Sequence, residues 1–209
     1  MKGPGYFFNQ LFFGKYSSRF NQYCQQKDIP TPYKLCYHDD PDHHIYEIFF
    51  PNTKFQIYHS TERVGFEKTA FFSSRKKHRK KYKKIYGYSI LHIEGKDLRV
   101  FCYRKDVYGH RAKVLYYFLD DTFILGEYVF MSYTKDKVSE IANKLAQTYH
   151  VNLKDAAASY YIEDANHGRI MLNDTGFDLN IKFLNLGNEG INDFLYNYFS
   201  REEEEIPES

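Results

Sequence analysis

The sequence predicts an α+β fold: antiparallel β-meander sheet(s) with helices packed on one face, built as two strand-rich units each followed by an amphipathic helix. Three observations predict it. Short apolar runs alternate with turn-forming residues over 45–131 and again over 159–185. Residues 134–149 and 188–200 repeat apolar side chains at helical spacing. The chain of 209 residues holds 21 tyrosines and 19 phenylalanines but no tryptophan. Rings of this kind supply a core, and each buried tyrosine needs somewhere to put its hydroxyl.

The elements follow in order. Residues 6–27 read as an N-terminal helix, with Phe8, Leu11, Phe12, Phe20, Tyr23 and Cys24 at roughly helical intervals. Pro30 and Pro32 end it, because a residue before proline is pushed out of the α region. Segments 45–50 and 54–59 read as a hairpin around Pro51-Asn52-Thr53. Segments 85–94 and 98–104 flank Gly95-Lys96-Asp97, and 112–119 and 122–131 flank Asp120-Asp121. Glu94-Gly95-Lys96 is turn composition, not a catalytic triplet. Val114, Tyr116 and Phe118 alternate with Leu115, Tyr117 and Leu119, so these strands are apolar on both faces.

Thr134 is placed as the N-cap of the helix over 134–149, whose stripe is Val138, Ile141, Ala142, Leu145 and Tyr149. The second β-section turns at Asn166-His167-Gly168 and Asp174-Thr175-Gly176. Its last strand, over 179–183, alternates cleanly, so one face is expected to meet water. A final helix opens at Asn188 with Ile191, Phe194, Leu195 and Tyr198 on one side. The reading is one α+β domain over 1–209, with any boundary between subdomains near 151–158, and residues 201–209 as a flexible acidic tail.

The net charge of +2 hides an uneven layout. Eight of the 29 Lys and Arg residues stand between positions 75 and 84: Arg75, Lys76, Lys77, Arg79, Lys80, Lys81, Lys83 and Lys84. The rest of the chain has 21 cations against 27 acids, so the body is mildly acidic. Such a block repels itself and belongs on the surface, as a solvated loop or helix face. There it can contact phosphates, or read as a targeting signal. It contains one aromatic, Tyr82, so no base-stacking platform is visible within it.

The densest set of metal-type ligands is His38-Asp39-Asp40-Pro41-Asp42-His43-His44, from which His38, Asp42 and His43 are the candidate metal residues. Loop composition accounts for them without a metal, and no cofactor is expected. Cys24, Cys36 and Cys102 are irregularly spaced and form neither a disulfide framework nor a zinc signature. Nucleophile-elbow, P-loop, dinucleotide-binding and zincin motifs are absent. The balance points away from an enzyme.

The sequence reading is therefore a binding or interaction module in the cytoplasm, touching nucleic acid or an acidic protein through 75–84, with no membrane partner. The alternatives are a small metal-dependent hydrolase or nuclease using 38–44, and an assembly protein with an aromatic interface.

Overall fold

The computed structural model describes residues 4–13, 18–27, 41–50, 52, 54–82, 85–131, 134–155 and 159–204. In chain order the elements are α1 (Pro4–Phe13), α2 (Ser18–Gln26), α3 (Pro41–Phe49), β1 (Gln56–Ser60), α4 (Arg75–Lys81), β2 (Gly87–Ile93) and β3 (Lys96–Val107). Then come β4 (His110–Leu119), β5 (Thr122–Met131), α5 (Lys135–Thr148), β6 (Tyr160–Asp164), β7 (Gly168–Asp174), β8 (Asp178–Asn185) and α6 (Glu189–Glu204).

All eight strands form one mixed sheet in the order β1-β6-β7-β8-β5-β4-β3-β2. Two antiparallel meanders, β2 to β5 and β6 to β8, meet where β5 pairs with β8. The two strand-rich units thus share a single sheet. Tight turns set the register. Glu94-Gly95 and Tyr108-Gly109 both have positive φ at each central residue, the geometry whose twist suits a two-residue hairpin.

The hairpin expected over 45–59 does not form. Its first half is α3, and β1 pairs in parallel with β6 at the sheet edge. The apolar residues of 45–50 suit either period over so short a run. Tertiary bonds decide the matter in favour of helix. Tyr161 Oη donates to the Glu47 carbonyl (3.4 Å), and Arg169 Nη1 donates to the carbonyls of Ile48 and Phe49 (3.2 Å each). These satisfy carbonyls left over at a helix C-terminus and place a cation at its negative end.

Helices occupy both faces. Val138, Ile141, Ala142 and Leu145 of α5 pack in one core cluster with Tyr116, Tyr128, Ile170 and Ile181. Ile45 and Ile48 of α3, with Leu195 and Phe199 of α6, pack in the other with Leu115, Tyr117, Met171 and Leu184. Central strands that are apolar at odd and even positions alike require cover on both sides. The expectation that one face of 179–183 meets water also fails. Asn180 and Lys182 are buried, Lys182 completely.

Thr134 does take the N-cap position, in extended conformation, but its side chain makes no cap bond; only its carbonyl receives Val138 N–H. The final helix is capped where expected, with Asn188 Oδ1 accepting from Ile191 N–H (3.1 Å). Helix α6 continues through Glu204, so the first residues of the acidic segment are helical.

Candidate functional site

The first part of the basic run is a helix pinned by a buried imidazole. Arg75–Lys81 forms α4, and His78 at its centre is 2% exposed. The imidazole lies against Tyr116 (ring centroids 4.2 Å), Tyr82 (4.7 Å) and Phe118 (5.2 Å). Its Nε2 is 3.0 Å from Tyr103 Oη. With His78 facing the sheet, Lys76, Lys77, Arg79 and Lys80 are left exposed. Arg75 is half-buried and pairs with Asp121 at 3.3 Å. Its backbone N–H also donates to the Asp121 carbonyl, which ties the start of α4 to the β4–β5 turn. Of the other predicted cations, Lys81 ends the helix, whereas Lys83 and Lys84 lie outside the described residues.

Other charged residues lie near α4, several of them in ion pairs: Arg99 with Asp97, and Lys105 with Glu67. Burial pushes the Tyr88 hydroxyl well above the ordinary phenol range, and Arg99, Arg75 and Arg79 pull it partly back. Asp97, paired with Arg99, pushes the same hydroxyl up. Lys105 Nζ sits 4.9 Å from the centre of the Tyr82 ring, a cation–π contact at the C-terminus of α4.

Beneath this surface is a packed layer of rings, not an open groove. Tyr103 and Tyr128 are buried, and Tyr116 is wholly so; Tyr82 and Tyr108 are half-buried. Glu67 marks the layer's edge. It holds a left-handed backbone (φ 56°), which is uncommon for a residue with a side chain. In that pose its carboxylate accepts from Tyr128 Oη (3.1 Å) and Lys105 Nζ (2.9 Å). The preceding residue, Phe66, is fully buried against Gly126, where a Cβ would stand 2.1 Å from the ring.

The opposite face carries a charged group that sequence reasoning missed. Lys182 on β8 is fully buried and bonds to Glu47 of α3. Its cross-strand partner is Glu127 on β5, equally buried, whose carboxylate receives Tyr117 Oη at 2.5 Å. Acid, lysine, acid and tyrosine are thus gathered on this face. Here they are covered by α3, and Glu47 is the only one with appreciable exposure (side chain 28%). The one available signal is an alternating strand with a lysine at a core position, and alternation alone implies a wet face.

Of the 38–44 cluster, only residues 41–44 are described, and they open α3. His38 lies outside the described residues, whereas Asp42 and His43 fall in the first turn of α3. Among the described residues, no group of three His, Cys, Asp or Glu side chains is placed to hold a metal ion. The remaining histidines stay apart. His92 pairs with Asp97 (2.7 Å) and His110 with Glu140 (3.2 Å), both near turns. Among the described residues, no helix is long and apolar enough to cross a membrane. No family model, curated protein or solved structure matches this chain.

Proposed function

We propose that the chain is a non-enzymatic binding module that holds a polyanion, nucleic acid or an acidic protein segment, against the outer face of α4. The observation that carries this reading is the burial of His78 in the middle of the basic run. A buried ring fixes the helix about its own axis, so the neighbouring cations project together from a rigid element. Ligand binding then orders only the side chains, which lowers its entropic cost. Recognition of nucleic acid here is contact with phosphates, which positions a strand without reading its bases. A cytoplasmic location belongs to this proposal.

The test is the salt dependence of binding to a duplex oligonucleotide. Lys76, Lys77, Arg79 and Lys80 engaging four phosphates give a log–log slope of about −3 to −4. Changing all four to Ala should abolish most of the affinity and flatten the slope. Affinity indifferent to salt and to these four changes would sink the reading. The competing reading is a small metal-dependent hydrolase or nuclease using the His/Asp cluster 38–44. Stoichiometric metal in purified protein, lost on His43→Ala, would favour it over the first.

A further inference from the structure

The N-terminal helix wears its apolar side outward. Phe8, Leu11 and Phe12 are 61%, 81% and 66% exposed. They stand at i, i+3 and i+4, so they share one face of α1, and the rings of Phe8 and Phe12 are 4.3 Å apart. The polar residues between them are less exposed than they are. Asn9 and Gln10 are half-buried, and Asn9 Nδ2 folds back onto the Gly5 carbonyl at 2.8 Å. A helix meant to face water would show the reverse pattern. Its other side leans on α2, where a Cβ at Gly5 would come within 2.8 Å of the Tyr23 hydroxyl.

Charge indicates what the face is for. Residues 1–27 contain Lys2, Lys15, Arg19 and Lys27 and not one Asp or Glu, whereas the other 182 residues have 25 cations and 27 acids. Arg19 and Lys27 are exposed beside the helix pair. An apolar stripe of aromatic and leucine side chains, in a segment whose only charges are positive, matches an anionic lipid surface. The rings enter the acyl boundary while the cations stay with the headgroups. At ten residues α1 spans about 15 Å, half of what crossing the hydrocarbon core takes. It fits lying in the interface.

We propose that α1 docks the protein on anionic membrane surfaces through Phe8, Leu11 and Phe12. The chain has no tryptophan, so Phe12→Trp installs a single reporter in the full-length protein. Its emission is expected to shift to the blue on adding phosphatidylcholine vesicles containing phosphatidylserine. Leu11→Asp in the same background should weaken partitioning by about tenfold or more, since it replaces burial of a large apolar side chain with a charge. Changing Lys76, Lys77, Arg79 and Lys80 to Ala should leave the blue shift in place, which separates this surface from that of α4. The proposal is overturned if the emission does not shift, or if it shifts equally in the Leu11→Asp protein. It is also overturned if only the α4 changes abolish the shift. A reporter already blue without vesicles, in a protein that sediments as a dimer, would assign the face to a second copy of the chain instead.

Discussion

The two faces of the sheet treat their lysines in opposite ways. On one, Lys182 is fully buried, bonded to Glu47 and set opposite Glu127. On the other, α4 buries His78 and leaves Lys76, Lys77 and Lys80 exposed. A charge taken out of water must be matched by partners, and what it gives in return is a fixed arrangement: here it locks α3 onto β8. A charge left in water contributes little to the fold and remains available to a ligand. The same residue type is thus architecture on one face and solvated charge on the other. The neutral groups differ as well. The α4 face is built from tyrosines whose hydroxyls burial keeps protonated, whereas the α3 face relies on an ion pair.

Alkali should break the tyrosine face first, and this is the largest effect expected. Burial raises the hydroxyls of Tyr88, Tyr108, Tyr116, Tyr128 and Tyr160 far above the ordinary phenol value. The folded state therefore keeps protons that the unfolded chain releases near pH 10. Their contribution to stability is complete below that value and falls as pH rises above it. About two pH units higher, five such groups together approach the ~5–15 kcal/mol stability of an ordinary domain. Titration followed by phenolate absorbance should show these tyrosines ionising in one cooperative step with loss of circular dichroism. Smooth, independent ionisation would contradict the burial assigned to them.

Lys182→Met tests the ion-pair face. Removing one partner of a buried pair leaves the other charge uncompensated, and the expected loss is about 3–5 kcal/mol in urea denaturation. Adding Glu47→Gln should restore part of it, because the carboxylate bonded to Lys182 is then gone while Glu127 remains. If the double variant were no more stable than the single one, the pair would not be what holds α3 down.

A smaller loss is expected at the seam between the loop over 61–74 and the sheet. Gly126 leaves room for the Phe66 ring, which also lies against Tyr116 (4.9 Å) and Tyr128 (4.9 Å). Gly126→Ala forces the ring to move and should cost about 1–3 kcal/mol, the usual range for overpacking. Because Glu67 follows Phe66, the same change should disturb its bonds to Tyr128 and Lys105.

The strands of the two meanders could be read from the sequence because their signals are local. Thr122–Met131 is found within its expected limits, and the α5 stripe of Val138, Ile141, Ala142 and Leu145 is buried as its spacing implies. What escaped depends on distant parts of the chain. Whether 45–50 coils or extends is decided by Tyr161 and Arg169, more than a hundred residues away. That Lys182 points into a core follows from the arrival of α3, which no alternation within 179–183 can report. The basic run was visible from composition alone. Its orientation was not, because His78 looks like one more basic residue until Tyr103 and Tyr116 are found against it.

The smallest effect on stability belongs to the exposed lysines, and it is the one that makes the comparison sharp. Changing Lys76, Lys77, Arg79 and Lys80 to Ala removes like charges from successive turns of α4 and introduces a better helix former. Surface changes of this kind each stay within about 0.5 kcal/mol, and relief of repulsion gives the sum a stabilising sign. Urea denaturation should therefore show an unchanged or slightly raised midpoint in a protein whose affinity for polyanions has collapsed. A clear drop in stability instead would mean that these cations hold α4 in place as Lys182 holds α3. The two faces would then share one strategy, and the outer surface of α4 would lose its claim to be a binding site.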